Sequence, residues 1–101
     1  MNNHNHADVT LTQNEFVLAG NLDFSNVVSV YQKALSQFNS ADTLVFNFAG
    51  LKTSNSAGLA LMIEWLKRAK AANKRIEFRN VSSDLQSIAK AAGLLDVVIK
   101  R

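Results

Sequence analysis

A chain of 101 residues, 48% apolar and 19% charged with a net charge of +3, has the composition of a globular domain and not of a disordered or fibrous polypeptide. It contains no cysteine, which excludes disulfide frameworks, thiolate zinc sites and cysteine nucleophiles, and makes a reducing cytosol the expected compartment. The start, MNNHNHADVT, lacks the basic and apolar segments of a signal peptide, and the longest apolar run, Ala57 to Ile63, is far shorter than the roughly 18 residues of a membrane span. Neither export by that route nor a membrane-spanning segment is expected. A single domain over residues 8–101 behind a flexible tail of residues 1–7 is the organisation expected, large enough to hold one hydrophobic core.

Residues 9–12 (VTLT) alternate apolar and polar, residues 16–19 (FVLA) are apolar, and Gln13-Asn14 between them forms a turn, so the chain opens with a β-hairpin. GNLD follows at 20–23. From Phe24 to Phe38 the apolar residues Phe24, Val27, Val28, Tyr31, Leu35 and Phe38 keep helical spacing, with Asp23 or Ser25 as the cap and Asn39-Ser40 as the stop. The β-branched and aromatic run 43–48 (TLVFNF) predicts a central strand covered by helices on both faces. The loop AGLKTSNS leads into a second helix, ending near Asn73, whose apolar face is Leu59, Met62, Ile63, Leu66 and Ala69. Residues 75–79 (RIEFR) alternate as a strand. A third helix starts at Ser82 or Ser83, with core positions Leu85, Ile88, Ala89 and Ala92 and a stop at Gly93. Ser83 and Gln86 have capping-box spacing. Residues 96–99 form a short strand or pack on the sheet. The order β-β-α-β-α-β-α defines an α/β fold on a mixed sheet of about four strands, opening with a hairpin and flanked by three main helices.

Charge is unevenly placed. Residues 1–66 hold Lys33 and Lys52 against five acids, whereas the remainder holds nine of the eleven bases, six of them (Lys67, Arg68, Lys70, Lys74, Arg75 and Arg79) in one stretch. Such a cluster suits phosphate on nucleic acid or an anionic lipid. A solvated helix end explains it better, because the only interleaved aromatic is Phe78 and no nucleic-acid motif is present.

An enzyme needs convergent acids, bases, nucleophiles or a metal, and this chain offers few. Its histidines, His4 and His6, fall in the asparagine-rich tail, where a loose metal site competes with plain disorder. Phosphate-cradling and zinc-hydrolase motifs are missing, and Ser56 has no histidine or lysine base beside it in sequence. No catalysis, cofactor or metal is therefore expected.

What remains is the junction Thr53-Ser54-Asn55-Ser56-Ala57-Gly58. Serine and asparagine here cap a helix and small residues let it approach the sheet, while a hydroxyl at the positive end of a helix also favours a phosphate or a partner's carboxylate. At 100° per residue, Leu61, Trp65 and Arg68 fall on a stripe away from the assigned core face. A leucine, a tryptophan and an arginine on one face have the composition of a partner-contact hot spot. The competing reading tucks Trp65 against the loop after the first helix.

The element order, the GNLD turn and LKTSNSAGLALMIEWLKRA at the strand-to-helix junction resemble the STAS domain, over about residues 8–99. In that family a D-[ST]-x-G-L motif carries the serine or threonine that a partner kinase phosphorylates. Here it reads Asn55-Ser56-Ala57-Gly58-Leu59, so the hydroxyl is kept and the acid is replaced by asparagine. SAGLALMIEWLKRAK and SSDLQSIAKAAGL are most similar to the MlaB-type branch, the cytoplasmic subunits of an ABC transporter that moves phospholipid and maintains outer-membrane lipid asymmetry. The resemblance implies a non-catalytic protein docked on an ATPase subunit (MlaF-like), in a complex with a permease (MlaE-like) and a substrate-binding subunit (MlaD-like). It would lie on the cytoplasmic side of the inner membrane, held there only by its partners. Asn55, Ser56, Ala57 and Gly58 would form the docking loop, and Leu61, Trp65 and Arg68 would extend the contact. The alternative is an anti-sigma factor antagonist that switches partners through phosphorylation of Ser56, against which the lost acid counts.

Overall fold

The computed structural model describes residues 6–53 and 55–99. Strands β1 (Ala7–Thr12) and β2 (Glu15–Asn21) form the expected hairpin, with Thr12 opposite Glu15. Gln13 and Asn14 both have positive φ, +51° and +65°, the two-residue turn whose twist matches that of paired strands. Strand β1 begins at Ala7, and the backbone carbonyl of His6 accepts from the amide of Asn21 at 2.7 Å. Regular pairing thus reaches into the segment expected as a tail. His4 lies outside the described residues.

β3 (Thr43–Thr53) pairs in parallel with β2 on one side and with β4 (Arg75–Arg79) on the other, giving the order β1-β2-β3-β4. It is longer than the run 43–48 because residues expected to be loop keep pairing with β2, through irregularities that set Ala19 opposite Gly50 and Asn21 opposite Thr53. Glycine permits this close approach: a Cβ on Gly50 would stand 2.4 Å from the Leu18 carbonyl oxygen.

The alternation along each strand defines two faces. Val9, Phe16, Leu18, Leu44, Phe46, Phe48 and Ile76 point inward and are buried. The opposite face carries exposed Thr10, Thr43, Glu77 and Arg79 and half-buried Glu15, Val17, Val45 and Asn47. On this face Arg79 pairs with Glu77 and lies 3.9 Å from Glu15. The sheet is therefore helix-covered on one face only, which corrects the expectation of a doubly covered strand. Val45 made the sequence look continuously apolar, yet it sits in a row between Glu15 and Glu77.

Helix α1 spans Val27–Leu35, shorter than 24–38, and a 3₁₀ turn follows at Phe38–Ser40. Its N-cap is Asn26, whose side chain accepts from the Asp23 amide at 3.0 Å, while Asp23 accepts from both the amide and the hydroxyl of Ser25. Phe24 and Val28 are 65% and 60% exposed, so neither is in the core. Helix α2 (Ser56–Ala71) ends where expected: Asn73 has φ +56°, its amide donates to the Lys70 carbonyl and the Lys74 amide to that of Ala69. Helix α3 (Ser83–Ala91) is capped by Ser82, which accepts from the Leu85 amide at 3.1 Å. This places Gln86 one residue too late for a capping box, and its side chain donates to the Val81 carbonyl instead. Ala92, expected in the core, is the exposed C-cap, and Gly93 ends the helix with φ +75°. The tail makes one helical turn, α4 (Leu95–Val98), with Val98 buried. No described helix is long and apolar enough to cross a membrane.

Candidate functional site

The parallel strands β2 and β3 end side by side, with Asn21 opposite Thr53, so the turns leaving them emerge at the same edge of the sheet. One enters α1 through Leu22–Asn26 and the other enters α2 at Asn55. Ligands of α/β sheets bind at such carboxyl ends, where helix N-termini add their free amides.

Asn55 has extended backbone and caps α2, its Oδ1 accepting from the Ala57 amide at 2.8 Å and its carbonyl from the Gly58 amide at 2.8 Å. A neutral side chain thus performs the capping that the family's acid would perform, without its charge. Asn55 and Ser56 are exposed, whereas Ala57 and Gly58 are buried under the first turn. The Ser56 side chain stands at the positive end of a helix, open to solvent. Ser54 lies outside the described residues.

The stripe of Leu61, Trp65 and Arg68 does not exist as a surface. Leu61 is 1% and Trp65 0% exposed. The indole stacks on Phe46 with ring centroids 4.1 Å apart, and its Nε1 donates to the Tyr31 carbonyl of α1 at 3.4 Å. Phe46 in turn stacks at 4.7 Å on Phe16, its register partner on β2, so Trp65 continues a stack of aromatic rings on the inner face of the sheet. The physical reason is the width of the buried arc: α2 packs against the sheet, α1 and α3, which buries far more than a narrow stripe. Trp65 is only about 60° around the helix from Met62, which is fully buried. Ile63 and Leu66, assigned to the core face, lie at the edge of that arc and are half-buried. Arg68 is exposed but stands about 18 Å along α2 from Ser56. It borders a shallow hollow beside Leu35 and Phe38, apart from the Ser56 end.

Sequence reasoning missed Phe24 and Val28. Their spacing fits the α1 core pattern, but the helix begins only at Val27 and its buried positions are Val30 and Ala34. The surface at this end therefore combines two exposed apolar side chains from the first turn and helix with the polar Asn55-Ser56 corner of the second. Exposed apolar side chains together with hydrogen-bonding groups are the make-up of a protein interface. Among the described residues no group of three or more histidines, cysteines, aspartates or glutamates is gathered to hold a metal.

Two titrating groups displaced from their ordinary values lie away from this end. The Lys33 ammonium, 2.6 Å from Asp8, holds that carboxyl below the usual range against a slight upward push from burial, the Val9 amide adding to the lowering. Arg79 is raised by its hydrogen bond and charge contact with Glu77.

A mixed sheet opened by a hairpin and continued by two β-α-β crossovers, with Ser56 as the first residue of the Asn55-capped helix of the second, is the arrangement of a STAS domain, and comparison with known proteins agrees. A family model described as "Mlab, STAS domain" matches residues 7–99, so the chain belongs to that family and within STAS domains is most like MlaB. The anti-sigma factor antagonist SpoIIAA in its unphosphorylated form shares the fold, with a TM-score of 0.68 and 21% identity over 89% of this chain and 83% of that one. The Bacillus cell fate determinant SpoIIAA in its phosphorylated form gives 0.64 and 22%, over 95% and 88%. Among curated proteins none gives a significant match.

Proposed function

We propose that this chain is a non-catalytic subunit of an ABC transporter for phospholipid, regulating the ATPase subunit on which it docks. The carrying observation is that Phe24 and Val28 are exposed at the same end of the domain as the capped Asn55-Ser56 corner, where β2 and β3 end side by side. The MlaB description of the family model supports the transporter assignment. The neutral Asn55 in place of the family's acid supports docking over phosphate-driven switching. The partners in this reading are an MlaF-like ATPase, an MlaE-like permease and an MlaD-like substrate-binding subunit, at the cytoplasmic face of the inner membrane and serving lipid asymmetry. Ala57 and Gly58 shape the docking corner from beneath, and Leu61 and Trp65 hold its helix in place rather than touching the partner. Docking acts by population shift: it favours whichever ATPase arrangement binds the domain more tightly, by no more than the difference in affinity.

The test is copurification from gently solubilised native membranes. Wild-type protein is expected to bring down an ATPase with a permease, and Ser56→Asp to lose them. A carboxylate at the first position of a helix is favourable for the helix, so loss of binding cannot be ascribed to unfolding. Burying that charge in an interface without a partner costs at least about 2 kcal/mol, roughly a thirty-fold loss of affinity. Unchanged recovery by Ser56→Asp would overturn the docking assignment.

The exposure of Ser56 favours one second reading, an anti-sigma factor antagonist that releases its partner when Ser56 is phosphorylated. A phosphate there would add about 1.5–2 negative charges to the same surface. Recovery of a soluble serine kinase without transporter subunits, together with a phosphate on Ser56 absent from Ser56→Ala, would establish it instead.

A further inference from the structure

At the other end of α2 an open cleft of about 610 Å³ lies between α2, the start of β4 and α4. Its floor is apolar: Ile76 is buried, and Ile63 and Leu66 are half-buried. Its rim is basic, with Lys67 and Lys70 one helical turn apart on α2 and Arg75 opposite on β4. The Lys74 ammonium is tied to the Ala41 carbonyl at 2.8 Å and Lys67 is shared with Glu64 at 3.3 Å. Lys70 and Arg75 have no ion-pair partner among the described residues, and Asp96 is the one acid lining the cleft.

We propose that this cleft docks an acidic amphipathic segment of a partner protein, which lays apolar side chains on the Leu66–Ile76 floor and carboxylates against Lys70 and Arg75. The surface lies about 10–21 Å along α2 from Ser56, so it is a second interface, and it stands whether or not the transporter reading holds. Charge complementarity sets the sign of the partner, since four cations, Lys67, Lys70, Lys74 and Arg75, line the apolar floor against a single acid, Asp96. A nucleic acid would need stacking aromatics, and none lines the cleft. A membrane would need apolar side chains that protrude, whereas here the floor is recessed and only Val97, 49% exposed, stands at the rim. The cleft is open to solvent along one side, unlike sites that enclose a small ligand.

The test uses the full chain and a synthetic amphipathic peptide with leucines at i, i+3, i+4 and i+7 and glutamates elsewhere, followed by backbone amide NMR. Shifts are expected at Ile63, Leu66, Lys70, Ile76 and Val97 and not at Asn55 or Ser56. The double variant K70E/R75E should weaken binding at least ten-fold, and Ser56→Asp should leave it within two-fold. Both replaced side chains are exposed, so the variant should remain folded, which the same spectra verify. Unchanged affinity in K70E/R75E, shifts scattered over every basic residue, or equal binding of a peptide with its glutamates changed to lysine would overturn the proposal. Binding through the same residues to phosphatidylglycerol vesicles, with none to the peptide, would also overturn it and assign the cleft to a lipid surface.

Discussion

Replacing Trp65 by alanine separates a tryptophan that holds the fold from one that touches a partner. The side chain is 0% exposed, stacked 4.1 Å from Phe46 and hydrogen-bonded to the Tyr31 carbonyl. Truncating a buried tryptophan costs about 3–5 kcal/mol, transfer energy and cavity together, against a total stability of about 5–15 kcal/mol for a domain of this size. At about 1.5 kcal/mol per molar of urea, the midpoint should fall by roughly 2–3 M. At about 4–8 °C per kcal/mol, Tm should fall by at least about 12 °C. The assay is urea unfolding followed by far-UV circular dichroism, because Trp65 is the sole tryptophan and its loss removes the fluorescence signal. Trp65→Phe keeps a ring over Phe46 and forfeits only the long hydrogen bond and part of the indole, so a loss of about 1–2 kcal/mol is expected. In the wild type the lone indole should emit at short wavelength and resist quenching by acrylamide. A Trp65→Ala protein that unfolds within about 0.5 kcal/mol of the wild type would refute the packing argument and return the side chain to the surface.

Other expectations follow from equally local causes. Gly20 has φ +97° and a Cβ there would lie 2.1 Å from the His6 carbonyl oxygen, so Gly20→Ala should lower stability by about 2 kcal/mol or more in the same urea titration. Ser82→Ala removes the α3 cap and should cost about 1 kcal/mol, with earlier amide exchange at Leu85. The Asp8 carboxyl is held below its unfolded value by Lys33, so the pair's stabilisation is present above about pH 4 and is lost as pH falls through the lower folded value. Both side chains are largely exposed, so Lys33→Ala should cost under about 1 kcal/mol at neutral pH and flatten the acid limb of the stability curve. The double variant F24S/V28S should leave Tm within a few degrees and weaken partner recovery, because both side chains are exposed.

The β-α order was legible because each element carries its own local signal. Gln13-Asn14 marks a tight turn, RIEFR alternates, and Asn73 and Gly93 stop their helices where positive φ is needed. The length of β3 was not legible, since residues 49–53 pair through their neighbour β2 and not through any propensity of their own. Helix faces failed for the same reason. The burial of Trp65 depends on α1 lying over α2, and the exposure of Phe24 depends on Asp23, Ser25 and Asn26 folding the turn so that the helix starts late. Asn55, by contrast, was readable as a cap because capping is decided within three residues.

In the proposed function the end of the domain bearing Phe24 and Ser56 faces an ATPase. Site-specific photo-crosslinking in native membranes tests it most directly, with a benzophenone amino acid at Phe24 and, as a comparison, at Thr10 on the open face of the sheet, both positions being exposed. Crosslinks to an ABC ATPase subunit from position 24 and not from position 10 are the predicted result. An ATPase crosslink from position 10 alone, or only a soluble kinase from position 24, would contradict the account.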